Sequence, residues 1–178
     1  MPLKKKNNSN SKMKIIKREG RIEDVFFDKV GSRIQRLCYN LNDQVDVTKI
    51  SQNVISQIYD KISTTQIDEL ASQISFQFNT IHPDYGVLAA RIAISNLQKN
   101  TKKHFSDVVS ILFEKNLISK DLFNTVQNNK DKINSSIIYQ RDFNLTYFGF
   151  KTLEKSYLIK INNIVQERPQ HLFMRVSE

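Results

Sequence analysis

Residues 13–38 read MKIIKREGRIEDVFFDKVGSRIQRLC, and the order of residue types in this stretch decides the fold. KII and RIED are short extended segments on either side of Glu19-Gly20. Glycine takes positive φ without steric cost, so a tight two-residue hairpin is expected here. Asp28 stands where a helix N-cap belongs. Behind it Val30, Ile34, Leu37, Cys38 and Leu41 recur at helical spacing as one apolar stripe, which makes Cys38 a core thiol. Lys17, Arg18 and Arg21 gather around the turn. Cations beside a helix N-terminus, with its oriented backbone N–H groups, suit a phosphate. A solvated basic turn would use the same residues, and the spacing alone does not choose between the two.

Working outward, a second helix follows Asp46, with Ile50, Val54, Ile55, Ile58, Tyr59 and Ile62 on its inner side. STTQIDELASQISFQF opens a third. Thr65 and Asp68 have capping-box spacing, and Ile67, Leu70, Ala71, Ile74 and Phe78 form its inner face. A fourth, HPDYGVLAARIAISNLQK, has Pro83 at its first position and a seam of Tyr85, Leu88, Ala89, Ile92 and Ala93. Four such stripes under a hairpin define one domain over residues 13–100. Farther on, Ser106 is expected to cap DVVSILFEK, and another helix covers 119–128. An aromatic-rich, partly irregular stretch leads to a short hairpin and a helix opening at Pro169. That last apolar helix carries no C-terminal cap, so the chain is expected to be truncated. The fold class is mainly α with a small β part.

Charge restricts the partners. The chain has 178 residues and a formal net charge of +9. Lys4, Lys5, Lys6 and Lys12 lie in a polar segment, residues 1–12, expected to be a disordered basic tail. Residues 13–100 hold 11 Lys/Arg against 10 Asp/Glu, and residues 101–178 hold 12 against 8. A folded part so nearly balanced has no continuous basic stripe, which argues against a nucleic-acid partner. No apolar run approaches the roughly 18–20 residues of a membrane span, so no membrane partner is expected. One cysteine excludes an internal disulfide framework and a cysteine-based zinc site, and suits a cytoplasmic, reducing setting.

No Walker loop is present. His82, His104 and His171 are scattered, and neither metal nor catalytic residues are assigned. Lys99, closing the fourth helix, reads either as a phosphate ligand or as a lysine favoured by the helix dipole. Thr64 and Asp68 read first as helix-start residues.

KREGRIEDVFFDKVGSRIQRLC, TTQIDELA, HPDYGVLAARIAISNLQKNTKKHFS, IIYQRDFNLTYFGFKTLEKSYLIKI and ERPQHLFMRVS together resemble the N-terminus of the class I ribonucleotide reductase large subunit of the eukaryotic and viral type. The resemblance runs over residues 13–178. It implies an ATP-cone, a β-hairpin over a four-helix bundle, at 13–100. The opening helical part of a reductase α/β-barrel domain, incomplete, would follow at 101–178. It implies an allosteric ATP/dATP site at Lys17, Arg18, Glu23, Asp24, Val25, Phe26, Phe27, Asp28, Lys29, Thr64, Asp68 and Lys99. Departures fall at Asp24, where relatives often carry Arg, and at Gln98, where they often carry His. The loop before Asp46 is one residue shorter than in many relatives.

By the same resemblance ATP supports and dATP stops the reductase, regulating deoxyribonucleotide supply for DNA replication. The effector comes with Mg²⁺, and no cofactor is covalently bound. The implied partners are the remainder of the large subunit, other large subunits and the radical-generating small subunit. The family's thiyl-forming and redox-active cysteines have no counterpart here, so this chain alone is expected to bind nucleotide and reduce nothing. A split or interrupted gene, an incomplete copy and a free-standing allosteric module are the alternatives. A cone-bearing transcriptional repressor would need a four-cysteine zinc ribbon, which the sequence lacks.

Overall fold

A computed structural model describes residues 13–177; the basic tail expected at residues 1–12 lies outside the described residues. β1 (Lys14–Ile16) pairs antiparallel with β2 (Ile22–Asp24), Ile15 facing Glu23. Gly20 N–H donates to Lys17 O at 2.9 Å and Lys17 N–H to Arg21 O at 2.8 Å. The loop therefore spans three residues, Arg18 to Gly20, one more than expected. A type I turn followed by a left-handed residue needs that length, and Gly20 supplies the turn's φ of +83°. β3 (Ile62–Ser63) adds a parallel partner to the other edge of β1, giving the order β2-β1-β3. Two residues show no alternation, so this strand had no sequence signal.

α1 (Phe27–Gln35) begins after Phe26, not after Asp28. Val25 N–H is bonded to Met13 O at 3.0 Å, which holds the chain extended into Phe26. Asp28 thus falls in the first turn, where it complements the helix dipole. The helix also stops earlier than its stripe. Leu37, Cys38 and Leu41 lie beyond it yet still pack on the core. Arg91 holds that exit, donating to Leu37 O at 2.8 Å and Tyr39 O at 2.7 Å over the Tyr39 ring. Burial pushes the Cys38 thiol up, away from reactivity.

α2 (Val47–Gln57) starts as expected, Asp46 accepting from Lys49 N–H at 3.0 Å. It ends before Tyr59, which is exposed. α3 (Thr64–Gln77) has its capping box at Ser63 and Gln66 rather than Thr65 and Asp68, because pairing in β3 brings Ser63 to the boundary. Thr64 and Asp68 are consequently buried inside the bundle. A 3₁₀ turn (Phe78–Thr80) leads to α4 (Asp84–Asn100), with Pro83 one position before the first helical residue.

α4 is apolar around most of its girth. Tyr85, Leu88 and Ile92 face the core beneath the hairpin with Ile15, Ile50, Val54 and Ile74. Ala90, Ala93, Ile94 and Leu97 face a second core with Phe150, Leu158 and Leu172. A helix with two buried faces is a central one. Packed on its far side are a 3₁₀ segment (Tyr139–Asn144) and α8 (Tyr147–Ser156), while α5 (Phe105–Glu114), α6 (Lys120–Asn128) and α7 (Lys130–Ser136) close a third core of Phe105, Val109, Val126 and Ile137. The β4 (Lys160–Ile161) and β5 (Ile164–Val165) hairpin and α9 (Pro169–Ser177) follow. Ser106 does not cap α5; His104 precedes it without a side-chain bond, and Ser106 is tied instead to Asn134. The fold is mostly helical with a small sheet, as expected. Among the described residues no helix is long and apolar enough to cross a membrane.

Candidate functional site

A cleft of about 440 Å³ opens between the hairpin, α1, α3 and α4. Its floor is aliphatic: Ile15, Val25, Val30, Ile34, Ile67 and Ile92. Its rim carries five cations, Lys17, Lys29, Arg33, Arg36 and Lys99, and a single acid, Asp68. An apolar floor under converging cations suits a ligand with a flat apolar part and several negative charges.

Asp68 is only 3% exposed. It accepts from Arg18 Nη2 at 2.7 Å and from Arg33 Nη2 at short range. Burial raises its pKa, while Arg33 and Arg18 pull the other way. Lys99 is lowered, first by burial and then by repulsion from Arg33. Arg33 is lowered by burial as well. One buried carboxylate thus serves two guanidiniums, and Lys99 adds a third cation with only a share in it. The hairpin cation Lys17 meets Glu23 at 3.2 Å, and that hydrogen bond holds the Glu23 carboxyl below its ordinary range.

Seven of the expected site residues line the cleft: Lys17, Val25, Phe26, Lys29, Thr64, Asp68 and Lys99. Arg18 does not line it. Its guanidinium bridges Asp68, Asn96 Oδ1 at 2.6 Å and Asn100 Oδ1 at 2.8 Å, fastening the hairpin to α3 and α4. Glu23 faces Lys17 rather than the cavity. Asp24, Phe27 and Asp28 are not among the lining residues either. The cleft is lined only where the chain leaves β2, at Val25 and Phe26, and the first turn of α1 leaves Phe27 exposed. Of the two departures from the family pattern, neither lines the cleft. Gln98 points to the opposite side of α4, donating to Asp142 Oδ2 at 2.9 Å and Tyr139 O at 3.2 Å.

Arg33 and Arg36 were missed. Their signal was present: Lys29, Arg33 and Arg36 recur at i, i+4 and i+7, a cationic stripe beside the apolar one. Among the described residues no group of three His, Cys, Asp or Glu side chains could hold a metal ion. Asp68, engaged by two arginines, is a poor ligand for a divalent ion. A Mg²⁺ would fit here only as a companion of bound phosphates.

Residues 13–100 match a family model described as the ATP cone domain, and residues 143–178 match one described as ribonucleotide reductase, all-alpha domain. Over 175 residues, 93% of this chain, it is 54% identical to the ribonucleoside-diphosphate reductase large subunit of monkeypox virus, of which it covers 23%. The large subunit of Danio rerio is 52% identical over the same length, with 22% of that protein covered. For large chain 2 of Saccharomyces cerevisiae the values are 50% and 20%. The chain spans between a fifth and a quarter of the length of these relatives.

Proposed function

Because the chain belongs to the ribonucleoside-diphosphate reductase large-subunit family, over the N-terminal part with its ATP cone and the start of its all-alpha domain, we propose that its cleft is the overall-activity site of such an enzyme. ATP bound there supports reduction and dATP stops it. The observation that carries this reading is the five-to-one excess of cations over acids around an aliphatic floor. Adenine and ribose lie on Ile15, Val25 and Ile67; the phosphates, with their Mg²⁺, meet Lys17, Lys29, Arg33 and Lys99. Residues 13–100 form the regulatory domain, and residues 101–178 the first helical part of the catalytic domain. Reduction itself belongs to cysteines elsewhere in the enzyme, since Cys38 is packed on the cone core. The remaining large-subunit polypeptide, further large subunits and the small subunit are the partners. Phe173 and Val176, exposed on α9, favour packing against more protein over a free-standing module.

ATP and dATP differ by one hydroxyl, and one hydrogen bond is worth about 1–3 kcal/mol. Reversing a 1:99 equilibrium takes about 5.5 kcal/mol of differential binding. Several cones acting through a shared subunit interface therefore make the switch sharp. Sedimentation should show different assembly states with the two nucleotides; identical states would count against this mechanism. For the site, calorimetric titration of ATP and dATP is decisive. Lys17→Ala should lose about 1.5–3 kcal/mol, the worth of a hydrogen bond to a charged group. Unchanged affinity would remove Lys17 from the site, and absence of any binding by the folded chain would end the proposal.

A further inference from the structure

The last turn of α4 has two working faces. On one, Asn96 and Asn100 hold Arg18, and Lys99 lines the cleft. On the other, Gln98 and Thr101 are gripped by residues from far along the chain. Arg168 Nη2 donates to Gln98 O at 2.7 Å and Thr101 O at 3.0 Å, and Arg168 Nε to Thr101 Oγ1 at 3.0 Å. These carbonyls sit at the helix C-terminus, where the last C=O groups lack intrahelical partners and the dipole is negative. A buried guanidinium from 67 to 70 residues away is thus the cap of the helix that ends at the cleft.

The cap is itself held. Its ring partner is Tyr139, with the guanidinium 4.9 Å from the centroid. Asp142, fully buried, takes Gln98 Nε2 on one oxygen and Gln170 N–H on the other at 3.2 Å. Every hydrogen-bond acceptor of the Arg168 side chain lies on the α4 exit, so the clasp cannot keep its geometry if that turn shifts.

We infer that the turn 96–101 is a transmission element, through which occupation of the cleft changes the packing of residues 139–144 and 168–172, with Arg168 as its positioning residue. This rests on the nucleotide-site reading above for its trigger. An anion at Lys99 and the Arg18–Asp68 cluster redistributes the charges that fix Asn96 and Asn100. Displacement of this turn by a fraction of an ångström reaches Gln98 and Thr101 directly, because they belong to the same helical turn. Close-packed interiors pass such shifts on instead of absorbing them.

Hydrogen–deuterium exchange on the whole 178-residue chain tests this. In wild type, saturating MgATP should change exchange at 139–144 and 168–172 by about threefold or more, as well as around the cleft. Gln98→Leu, which breaks the link to Asp142 without touching the cleft, should keep ATP affinity within about threefold, the range of an uncoupled distant site. The nucleotide-dependent change at 139–144 should vanish in that variant, while that at 168–172, which Arg168 takes from the Gln98 and Thr101 carbonyls, should persist. Thr101→Val, which removes the bond from Arg168 Nε, should diminish the change at 168–172 and serves alone should Gln98→Leu not fold. A ligand-free arm uses Arg18→Met, which removes the bonds to Asn96 and Asn100; faster exchange at 168–172 is expected. ATP binding with protection confined to the cleft, or no response of 168–172 to Arg18→Met, would overturn the coupling. A chain that ignores ATP but still answers to Arg18→Met would refute the nucleotide reading and leave the mechanical link standing.

Discussion

The two halves of the molecule treat charge in opposite ways. In residues 13–100 cations converge on an open cleft that offers them one carboxylate. In residues 101–177 the buried charges are fully hydrogen-bonded: Glu167, fully buried, meets Arg175 at 2.6 Å and Ile159 N–H at 2.9 Å. Arg168 spends its donors on backbone and hydroxyl oxygens of α4. Charge left partly uncompensated around a cavity is arranged for a ligand, whereas charge buried and fully bonded maintains the structure. Hence substitutions in the first half should move affinity, and those in the second should move stability.

The largest effect is expected from Glu167→Ala, which leaves Arg175 and the Ile159 amide without their buried partner. Urea unfolding should show a loss of about 3–5 kcal/mol. Acid comes next. Burial, with Arg168 nearby, lowers His171 from 6.5 to about 4. Its neutral ring accepts from Arg168 N–H at 3.2 Å and contacts Tyr139 Oη at 3.1 Å. The unfolded chain binds the proton first, so this contribution is complete above pH 6.5 and is lost as pH falls towards 4. Across that window it amounts to about 3 kcal/mol at most. Asp68 and Asp142, raised by burial, act with the opposite sign and blunt the slope. His171→Asn should flatten or reverse the acid-side loss in urea titrations at pH 7 and 4.5; an unchanged slope would place the proton uptake elsewhere.

Lys99→Gln should separate affinity from stability most cleanly. ATP binding should weaken by about 1.5–3 kcal/mol in calorimetry. The free chain should meanwhile hold or gain stability, because a part-buried cation repelled by Arg33 is gone. Both quantities falling together would make Lys99 a structural residue and erase the contrast between the halves. The smallest effect is Ser63→Ala, which removes the capping box of α3 at a cost of about 1 kcal/mol by thermal unfolding. Affinity should be almost untouched, since Ser63 does not line the cleft.

Much of this was legible in the residues. The four cone helices and their inner faces follow from apolar spacing, and Asp46 caps α2 as its position suggests. The hairpin was placed correctly, and its loop length missed by one residue because turn type depends on which pair closes it. Other boundaries moved wherever a distant strand took over a backbone group, as β3 did at Ser63 and Met13 did at Val25. Of the hairpin and α4 cations expected at the site, Lys17 and Lys99 line the cleft, and Arg18 and Arg21 do not. Arg33 and Arg36 were passed over although their spacing marks them. The family resemblance assigns Arg18, Glu23, Asp24, Phe27 and Asp28 to the site as well, and none of them lines the cleft.

The Glu19-Gly20 turn and the apolar periodicity were enough to determine a hairpin over a helical bundle, because a tight turn and the burial of an amphipathic stripe are local demands that each segment meets by itself. The sequence also carried the cations of the cleft and the motifs of its family. Tertiary structure alone decided which of those cations share Asp68, and that α4 has a second buried face. It also decided that Arg168 closes the helix ending beside Lys99. Those outcomes join residues 35 to 70 positions apart, and no local pattern encodes a partner that only packing brings within hydrogen-bond reach.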